Sequence, residues 1–459
     1  MADLLEVADR VVSWASSSEQ VEAVVVHGRD SEVRVYEGEI ESLSSAESQG
    51  VGIRVVADGR QGFAYAGTLD EAVLRETLAE ARDNASFGTP DEHLGLAIPD
   101  GVAVAELDLF REELSAFPTD ANVALAIELE RAVRAADPRI SGIESAEYVD
   151  GSVEAAVVTN TGIRTTSRET ACYLATYAMA SDGQARNGGA GGGGGSDTQT
   201  GFGFSVGRRP EDLDAGAAAA DAAHRATRLL GATKPAGARL TVVLDPFVTA
   251  QFLAILASTL SGEAVLKGRS LFADRVGDEV ASPLVTLVED PTEPAAFTAT
   301  QTDGEGLATR RNPLFDRGVL RGFVHNTYTC RRSITASTGS AVRGGFKSTP
   351  GVGCVAVALA PGSRSQAQLI AEVGEGVLIT DVSGLHSGVN PVSGDFSTGA
   401  EGMRITGGEL AEPLREFTIA STLQRMLRDV TGVGDDLEWL PMSAAGVSLV
   451  IGDLTVSGS

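Results

Sequence analysis

Short runs of apolar and β-branched residues, separated by Gly and Asp, constrain the fold of this chain more than any other sequence feature. In the N-terminal region these runs occupy residues 22–27, 32–38, 50–56 and 62–67. Such runs are typical of β-strands, and short polar connections between them favour antiparallel pairing. A second group, over residues 141–181, predicts a meander of long strands with turns at Asp150-Gly151 and Asn160-Thr161-Gly162. We therefore predict an α+β fold with heavily antiparallel sheets.

Helical patterns flank the strand regions and divide the chain. Helices are predicted at residues 4–15, 68–84 (with Thr68 and Glu71 as a capping box), 121–136, 213–230, 246–260, 365–373 and 416–430. Further strands are predicted at residues 239–245, 284–290, 318–329, 354–362, 376–384 and 446–458. We expect an N-terminal α+β module (residues 1–110), a middle module (residues 111–234) and a strand-rich C-terminal domain (residues 235–459).

A glycine-rich segment, residues 187–201, lies within the middle module. Its composition predicts a flexible surface loop. Glycine amides can also bind phosphate, but no G-K-[ST] sequence follows the segment, so this alternative is disfavoured.

The acidic net charge narrows the range of partners. The chain has 36 basic and 63 acidic residues, and its formal net charge is −27. This charge repels phosphate backbones and disfavours direct nucleic-acid binding. The N-terminus lacks the basic start and apolar core of a signal peptide, and no apolar stretch reaches the roughly 18 residues that span a bilayer. We therefore expect a cytoplasmic protein that does not enter the membrane.

Histidine and cysteine residues offer one candidate metal site. None of the five histidines belongs to an H-E-x-x-H helix motif. His325, Cys330, Cys354 and His386 could converge on a metal ion in the folded chain. Alternatively, the histidines are strand-borne polar residues and the cysteines are buried thiols.

A second candidate site lies in the segment GLHSGVNPVSGDFSTGAEG, residues 384–402. Glycine lets a backbone approach a ligand closely, and Asn and Asp side chains stabilise tight turns. The segment either binds substrate or is a structural turn that closes a sheet. Its candidate substrate-binding residues are His386, Asn390, Asp395, Ser397 and Thr398.

This glycine-rich segment also carries a family resemblance. The run LHSGVNPVSGDFSTGAEGMRITGGELAEPLREFTIASTL (385–423) resembles the C-terminal signature of the TldD/PmbA family, whose members are also called modulators of DNA gyrase. Four other segments agree with the resemblance, so that it covers nearly the whole chain. They lie at residues 33–67, 262–280, 325–344 and 434–441.

The resemblance implies a cytoplasmic zinc protease built from two related subunits. One subunit carries an H-E-x-x-x-H zinc helix after the first strand of its C-terminal domain and a cysteine ligand near its end. The other subunit, PmbA or TldE, lacks these ligands. In this chain the corresponding helix, predicted at 246–260, contains no histidine, the nearby Glu263 has no flanking imidazole, and residues 434–459 contain no cysteine. The chain therefore resembles the PmbA/TldE type, with no catalytic or metal-binding residues of its own and with zinc expected in the partner subunit.

Three interpretations of function remain open at this point. In the first, the chain is the non-catalytic subunit of a metallopeptidase heterodimer and offers strand edges to unfolded or extended peptides. In the second, it is a regulatory or binding protein that forms a homodimer and has no peptidase activity. In the third, it is an enzyme with an unrecognised site around His325 and His386.

Overall fold

The N-terminal and middle regions share one antiparallel sheet in the computed structural model, which describes residues 3–115, 117–185 and 196–458. Its six strands are β1 (Glu19–Tyr36), β2 (Glu39–Ala57), β3 (Arg60–Ala66), β4 (Ile140–Thr159), β5 (Arg164–Ala185) and β6 (Ser196–Gly207). The strand order is β3-β2-β1-β4-β5-β6. The β1–β4 pairing, from Glu22 opposite Thr159 to Val35 opposite Ala146, joins the two regions.

Helices cover one face of this sheet. They are α1 (Leu4–Ser13), α2 (Glu71–Phe87), α3 (Glu112–Ser115), α4 (Thr119–Ala136) and α5 (Ala215–Arg228). Because side chains alternate along a strand, Val25 and Val33 of β1 face the helices, and Val24 faces the other way. Val24 packs against Leu307 of the C-terminal domain. Around Val24 and Val25, the sheet is therefore buried between its helices and the C-terminal domain.

The C-terminal domain is built around a barrel-like sheet. Its strands are β7 (Ala238–Leu244), β14 (Gly376–Ser383), β15 (Asp395–Thr406), β16 (Glu409–Thr422), β17 (Val430–Val433) and β20 (Leu449–Ser457). The order is β16-β15-β14-β7-β20-β17, and β16 also pairs with β20, which closes the sheet on itself. Only β7 and β14 run parallel to each other.

Short elements surround this barrel. The strands are β8 (Leu287–Glu289), β9 (Asn312–Asp316), β10 (Val319–Leu320), β11 (Ala341–Val342), β12 (Gly351–Val352), β13 (Val357–Leu359), β18 (Glu438–Trp439) and β19 (Ala445–Gly446). The helices are α6 (Pro246–Ser258), α7 (Gly262–Leu266), α8 (Thr327–Ser333), α9 (Gln366–Val373), α10 (Leu385–Gly388) and α11 (Leu423–Arg428). The predicted α+β class, rich in antiparallel sheet, is confirmed.

The strands of the first sheet are longer than their sequence patterns predict. The two runs at 22–27 and 32–38 belong to the single strand β1. Asp150-Gly151 is not a turn, because both residues lie within β4 and pair with β1 and β5. Pairing on both sides outweighs the local turn preference. The predicted turn at residues 160–162 does connect β4 to β5.

Two predicted helix features are wrong. Helix α2 is capped by Asp70 rather than by Thr68, because Asp70 Oδ1 accepts hydrogen bonds from the N–H groups of Ala72 (3.0 Å) and Val73 (3.3 Å). The helix predicted at 416–430 begins only at Leu423, because the preceding residues pair with β15 as part of β16.

Two predicted strand or loop assignments also change. Of the strand predicted at 318–329, only β10 (Val319–Leu320) forms, and α8 begins at Thr327 with a capping box of Asn326 and Thr329. The predicted closing strand pair at 446–458 is essentially the one strand β20. In the glycine-rich segment 187–201, residues 196–201 form part of β6 instead of a flexible loop. Residues 187–195 lie outside the described residues.

A buried ionic cluster connects the first sheet to the C-terminal domain. Glu22 of β1 is fully buried and accepts hydrogen bonds from Arg54 of β2 (2.6 Å) and from Arg343 of the C-terminal domain (2.6 Å). Arg54 also lies 3.5 Å from Glu305. Burial alone would raise the pKa of Glu22, but Arg343 and Arg54 hold it below its ordinary value. The charges are thus compensated across the domain boundary.

We predict that Glu22→Gln destabilises the folded chain by about 3 kcal/mol, because it removes the carboxylate charge between the buried guanidinium groups of Arg54 and Arg343. Chemical denaturation monitored by near-UV circular dichroism measures the change. The matched control is Glu32→Gln, at an exposed position on the same strand, which should change stability by less than about 0.5 kcal/mol.

The stabilisation that Glu22 provides depends on pH in a defined direction. Because the pKa of Glu22 is lowered in the folded state, its contribution is present above the pKa of the unfolded chain and is lost as the pH falls through the lower folded pKa. The destabilisation caused by Glu22→Gln should therefore shrink towards acidic pH. An equal loss of stability at neutral pH in the Glu22→Gln and Glu32→Gln variants would contradict this role.

Candidate functional site

Helix α6 occupies the position that the resemblance assigns to a zinc helix. It follows β7 directly, and its first turn is set by the N-cap Asp245, whose carboxylate accepts a hydrogen bond from Phe247 N–H at 3.2 Å, and by Pro246. Phe252 and Leu256 are buried in the domain core. The helix is therefore mainly a packing element.

A cavity of about 440 Å³ lies along the remaining side of α6. Ala254, Ala257 and Ser258, which share one face of the helix, line this cavity. Cys354 and Pro391 border it from outside the helix. The Ser258 hydroxyl donates a hydrogen bond to the carbonyl oxygen of Ile255 within the helix, at 2.7 Å. We refer to this space as the α6 cavity.

The residues around the α6 cavity do not fit a zinc ion. Zinc requires imidazole, thiolate or carboxylate ligands, usually four in a tetrahedral arrangement. Burial raises the pKa of the Cys354 thiol well above its ordinary value, which disfavours the thiolate, and Glu263 is paired with Lys267 at 2.6 Å. Across residues 3–115, 117–185 and 196–458, no three or more His, Cys, Asp or Glu residues are grouped so that they could hold a metal ion.

The sequence left open whether His325, Cys330, Cys354 and His386 converge, and no three of these described residues are grouped so that they could hold a metal ion. His325 Nδ1 lies 3.3 Å from Thr329 Oγ1. The Cys330 thiol donates to the carbonyl oxygen of Thr327 at 3.2 Å, whereas His386 is exposed on α10. The hydrogen bonds of His325 and Cys330 are local and stabilise the start of α8. Of the two alternatives that the sequence left open, the buried thiol describes Cys330.

Residues 384–394 of the segment 384–402 form a tight connection between β14 and β15, and residues 395–402 belong to β15. Asn390 Oδ1 accepts hydrogen bonds from the backbone N–H groups of Val392 (2.9 Å) and Ser393 (3.2 Å). The Ser393 hydroxyl donates to Asp395 Oδ2 at 2.7 Å. Asn390 N–H also donates to the Asp395 carbonyl oxygen at 2.9 Å. These bonds stabilise the turn itself.

The candidate substrate-binding residues are distributed over different surroundings. His386, Asn390, Asp395 and Ser397 are exposed, whereas Thr398 is buried. Pro391 of the segment 384–402 lines the α6 cavity, and none of the five candidate residues lines it. Substrate binding by the five residues stays a prediction, and Pro391 is the position at which their turn reaches a cavity.

A larger cavity, which the sequence analysis missed, lies between the first sheet and the C-terminal domain. Its volume is about 540 Å³, and its floor includes Val24 and Val26 of β1 and Val153 and Val157 of β4. Loops of the C-terminal domain form the opposite wall. These include residues 297–304, 339–345 and 353–355. We call this space the interdomain cavity. Its walls come from distant parts of the sequence, so no local motif indicates it.

Buried carboxyl groups give the interdomain cavity an unusual protonation state. Burial raises the pKa of Glu289 to about 8 and that of Asp303 to about 7. Asp303 accepts hydrogen bonds from three backbone N–H groups, at Glu305, Leu307 and Ala341. Glu289 Oε2 accepts from Asn312 Nδ2 at 2.7 Å. At neutral pH the cavity therefore presents an apolar floor beside partly protonated acids.

Comparison with known proteins defines the class to which this architecture belongs. Three consecutive segments match the models of PmbA/TldA metallopeptidase domains: domain 1 at residues 21–85, the central domain at 112–230 and the C-terminal domain at 237–458. The fold is thus that of metallopeptidase-related proteins with three such segments. The chain belongs to the PmbA/TldD family.

Similar proteins and solved structures extend over nearly the whole chain. It is 26% identical to Metalloprotease PmbA of Escherichia coli O157:H7 over 92% of this chain and 88% of that protein. It is 28% identical to a metalloprotease of Methanothermobacter thermautotrophicus over 94% of this chain and 90% of that protein.

Two solved structures share the fold. TldE from Thermococcus kodakarensis matches with a TM-score of 0.87, 23% identity and 99% coverage of both chains. A Thermotoga maritima protein described as a modulator of a DNA gyrase matches with a TM-score of 0.88 and 24% identity, over 98% of this chain and 99% of that one. In the part of the chain that the structure describes, no helix combines the length and apolar character needed to cross a membrane.

We predict that Asn390→Ala loosens the 390–395 turn at a cost of about 1 kcal/mol, because two backbone N–H groups lose their acceptor. Hydrogen exchange followed by mass spectrometry should show faster exchange at Val392 and Ser393. His386→Ala is the matched control in the same segment, since the imidazole is exposed and should leave exchange unchanged. Unchanged exchange in Asn390→Ala would show that the turn does not depend on the Asn side chain.

We also predict that the purified, tag-free chain binds much less than one zinc ion per molecule, because the α6 cavity lacks a ligand set. Elemental analysis after dialysis against buffer containing zinc measures this. A family member with the H-E-x-x-x-H motif, treated in parallel, is the positive control. One tightly held zinc ion per chain would contradict the prediction.

Proposed function

We propose that this chain is the non-catalytic, PmbA/TldE-like subunit of a cytoplasmic metallopeptidase complex that acts on unfolded or extended peptides. The proposal rests on the residues that α6 presents to the α6 cavity. Where the resemblance implies zinc ligands, the helix presents Ala254, Ala257 and Ser258 to the α6 cavity. Zinc is expected in a partner subunit that has the H-E-x-x-x-H helix.

The chemistry of peptide hydrolysis supports this division of roles. A zinc hydrolase needs protein ligands that hold the ion and a carboxylate that takes a proton from the attacking water. The cavity face of α6 has methyl groups and one hydroxyl, and the carboxylate that caps the helix, Asp245, is buried beneath Arg225 at 3.6 Å. These groups do not supply a general base in the α6 cavity.

The contribution proposed for this subunit is to shape the peptide-binding space. The interdomain cavity has the volume and the apolar floor of a binding pocket. Its walls belong to two domains that the Glu22 cluster holds together. An extended peptide segment with apolar side chains fits this floor, and the partner supplies the catalytic centre.

We predict that this chain alone does not cleave unfolded peptides, whereas a mixture with a family member that carries H-E-x-x-x-H does. A fluorogenic peptide assay compares each chain alone with the mixture. Activity of the mixture should be sensitive to chelators and should be lost when the motif glutamate of the partner is replaced. Chelator-sensitive cleavage by this chain alone would overturn the assignment.

A pair of matched variants tests the proposed contribution of this chain. Val153 on the cavity floor and Val104, which does not line the cavity, are equally exposed, at 46%. Val153→Trp should fill the interdomain cavity and reduce cleavage by the mixture about tenfold, whereas Val104→Trp should leave it unchanged. If neither association with the partner nor cleavage occurs, the self-associating binding protein becomes the better interpretation.

A further inference from the structure

Strand β2 has a long unpaired edge. Its neighbour β3 pairs only with residues 51–57 of β2, so the preceding part of β2 is bonded to β1 on one side and to no described strand on the other. All of residues 39–49 are exposed. We call residues 39–49 the free edge. Natural sheets seldom leave such an edge open, because it presents unpaired N–H and C=O groups to other strands.

The free edge continues a row of core side chains. Leu43 lies opposite Val33, and Ile40 lies opposite Val35. Val33 and Val35 are at most 1% exposed beneath α4, whereas Leu43 and Ile40 are 46% and 49% exposed. A β-bulge at Glu41 places Ile40 and Leu43 on the same sheet face although they are three positions apart. The hydrophobic layer therefore ends at the free edge with two half-covered side chains.

The hairpin that carries the free edge is held in place. The backbone N–H groups of Glu37 and Gly38, in the turn between β1 and β2, donate to the buried carboxylate of Glu130 on α4, at 2.8 and 2.6 Å. Arg134 on the same helix also donates to Glu130. The edge is thus ordered before anything binds to it, which reduces the entropic cost of adding a strand.

The glutamate residues of the free edge disfavour pairing with a second copy of this chain. In the antiparallel self-pairing that places Leu43 opposite itself, Glu39 would lie opposite Glu47. Like charges directly opposite each other are destabilising, and two copies of this chain with a net charge of −27 also repel each other. The pattern favours a different chain, with uncharged or basic residues opposite these glutamates.

We propose that a strand of the partner subunit adds to the free edge of β2 and covers Ile40 and Leu43 with apolar side chains. This inference rests on the proposed function, because it identifies the surface through which the zinc-bearing partner is held. The added strand would extend the six-stranded sheet by main-chain hydrogen bonds. The partner strand would then join the same sheet that forms the floor of the interdomain cavity.

The test uses the full-length chain and a family member that carries H-E-x-x-x-H. The double variant Ile40→Lys/Leu43→Lys should weaken association at least about tenfold in sedimentation velocity measurements. The matched control is Ile98→Lys/Val104→Lys, which changes two comparably exposed apolar residues away from the free edge and should not alter association. Hydrogen exchange in the wild-type complex should show new protection of amides within residues 39–49, which side-chain contact alone would not produce.

The outcomes separate the two proposals. If the wild-type chain does not associate with the zinc-motif protein, the proposed function fails and this inference fails with it. If it associates but the 39–49 amides stay unprotected, or the double variant binds as tightly as the control, only the assignment of the free edge is overturned. Protection that grows with the concentration of this chain alone, or that requires only added peptide, would also overturn it, because the occupant would be another molecule.

Discussion

The charge compensation of Glu22 is the interaction on which the relation between the two halves of the molecule depends. A carboxylate at the centre of a sheet is costly unless it is paired and hydrogen-bonded. Here one of its partners, Arg54, comes from the neighbouring strand, and the other, Arg343, comes from the C-terminal domain. Arg343 also donates to the carbonyl oxygens of Gly304 and Ser348 and lines the interdomain cavity. The same ionic contact therefore joins the domains and positions one wall of the space between them.

In the C-terminal domain, the packing of α6 is independent of the residues on its cavity face. Helix α6 follows β7, the first strand of the domain, which is the position that the family resemblance gives to a zinc helix. Packing of Phe252 and Leu256 in the core keeps the helix in place irrespective of what its other face carries. The fold alone therefore does not assign a function, and the proposed function rests on the residues at the cavity face of α6.

The interdomain cavity and the apolar row that ends at Ile40 and Leu43 lie on opposite faces of the six-stranded sheet. Even-numbered residues of β1, such as Val24, face the interdomain cavity, whereas Val33 and Val35 face α4 and continue into the free edge through Leu43 and Ile40. This separation follows from the alternation of side chains along a strand. The interdomain cavity and the proposed subunit contact thus lie on opposite faces, and the backbone of β1 and β2 connects them.

The α+β class, the positions of most helices and the family were predictable from the sequence, because these depend on local periodicity and on contiguous motifs. The Asn160-Thr161-Gly162 turn and the Pro246 helix start are examples. The sequence also determined that no histidine lies in α6. The folded chain was needed to show that Asp150-Gly151 continues a strand and that His325 and Cys330 bond at the start of α8. It was also needed to show that Arg343, 321 residues away, compensates the charge of Glu22. For Asp150-Gly151 and for Glu22 the partners that select the conformation are remote in sequence, so they leave no local signature. The partners of His325 and Cys330 are four and three residues away, and the folded chain alone shows that these side chains bond there.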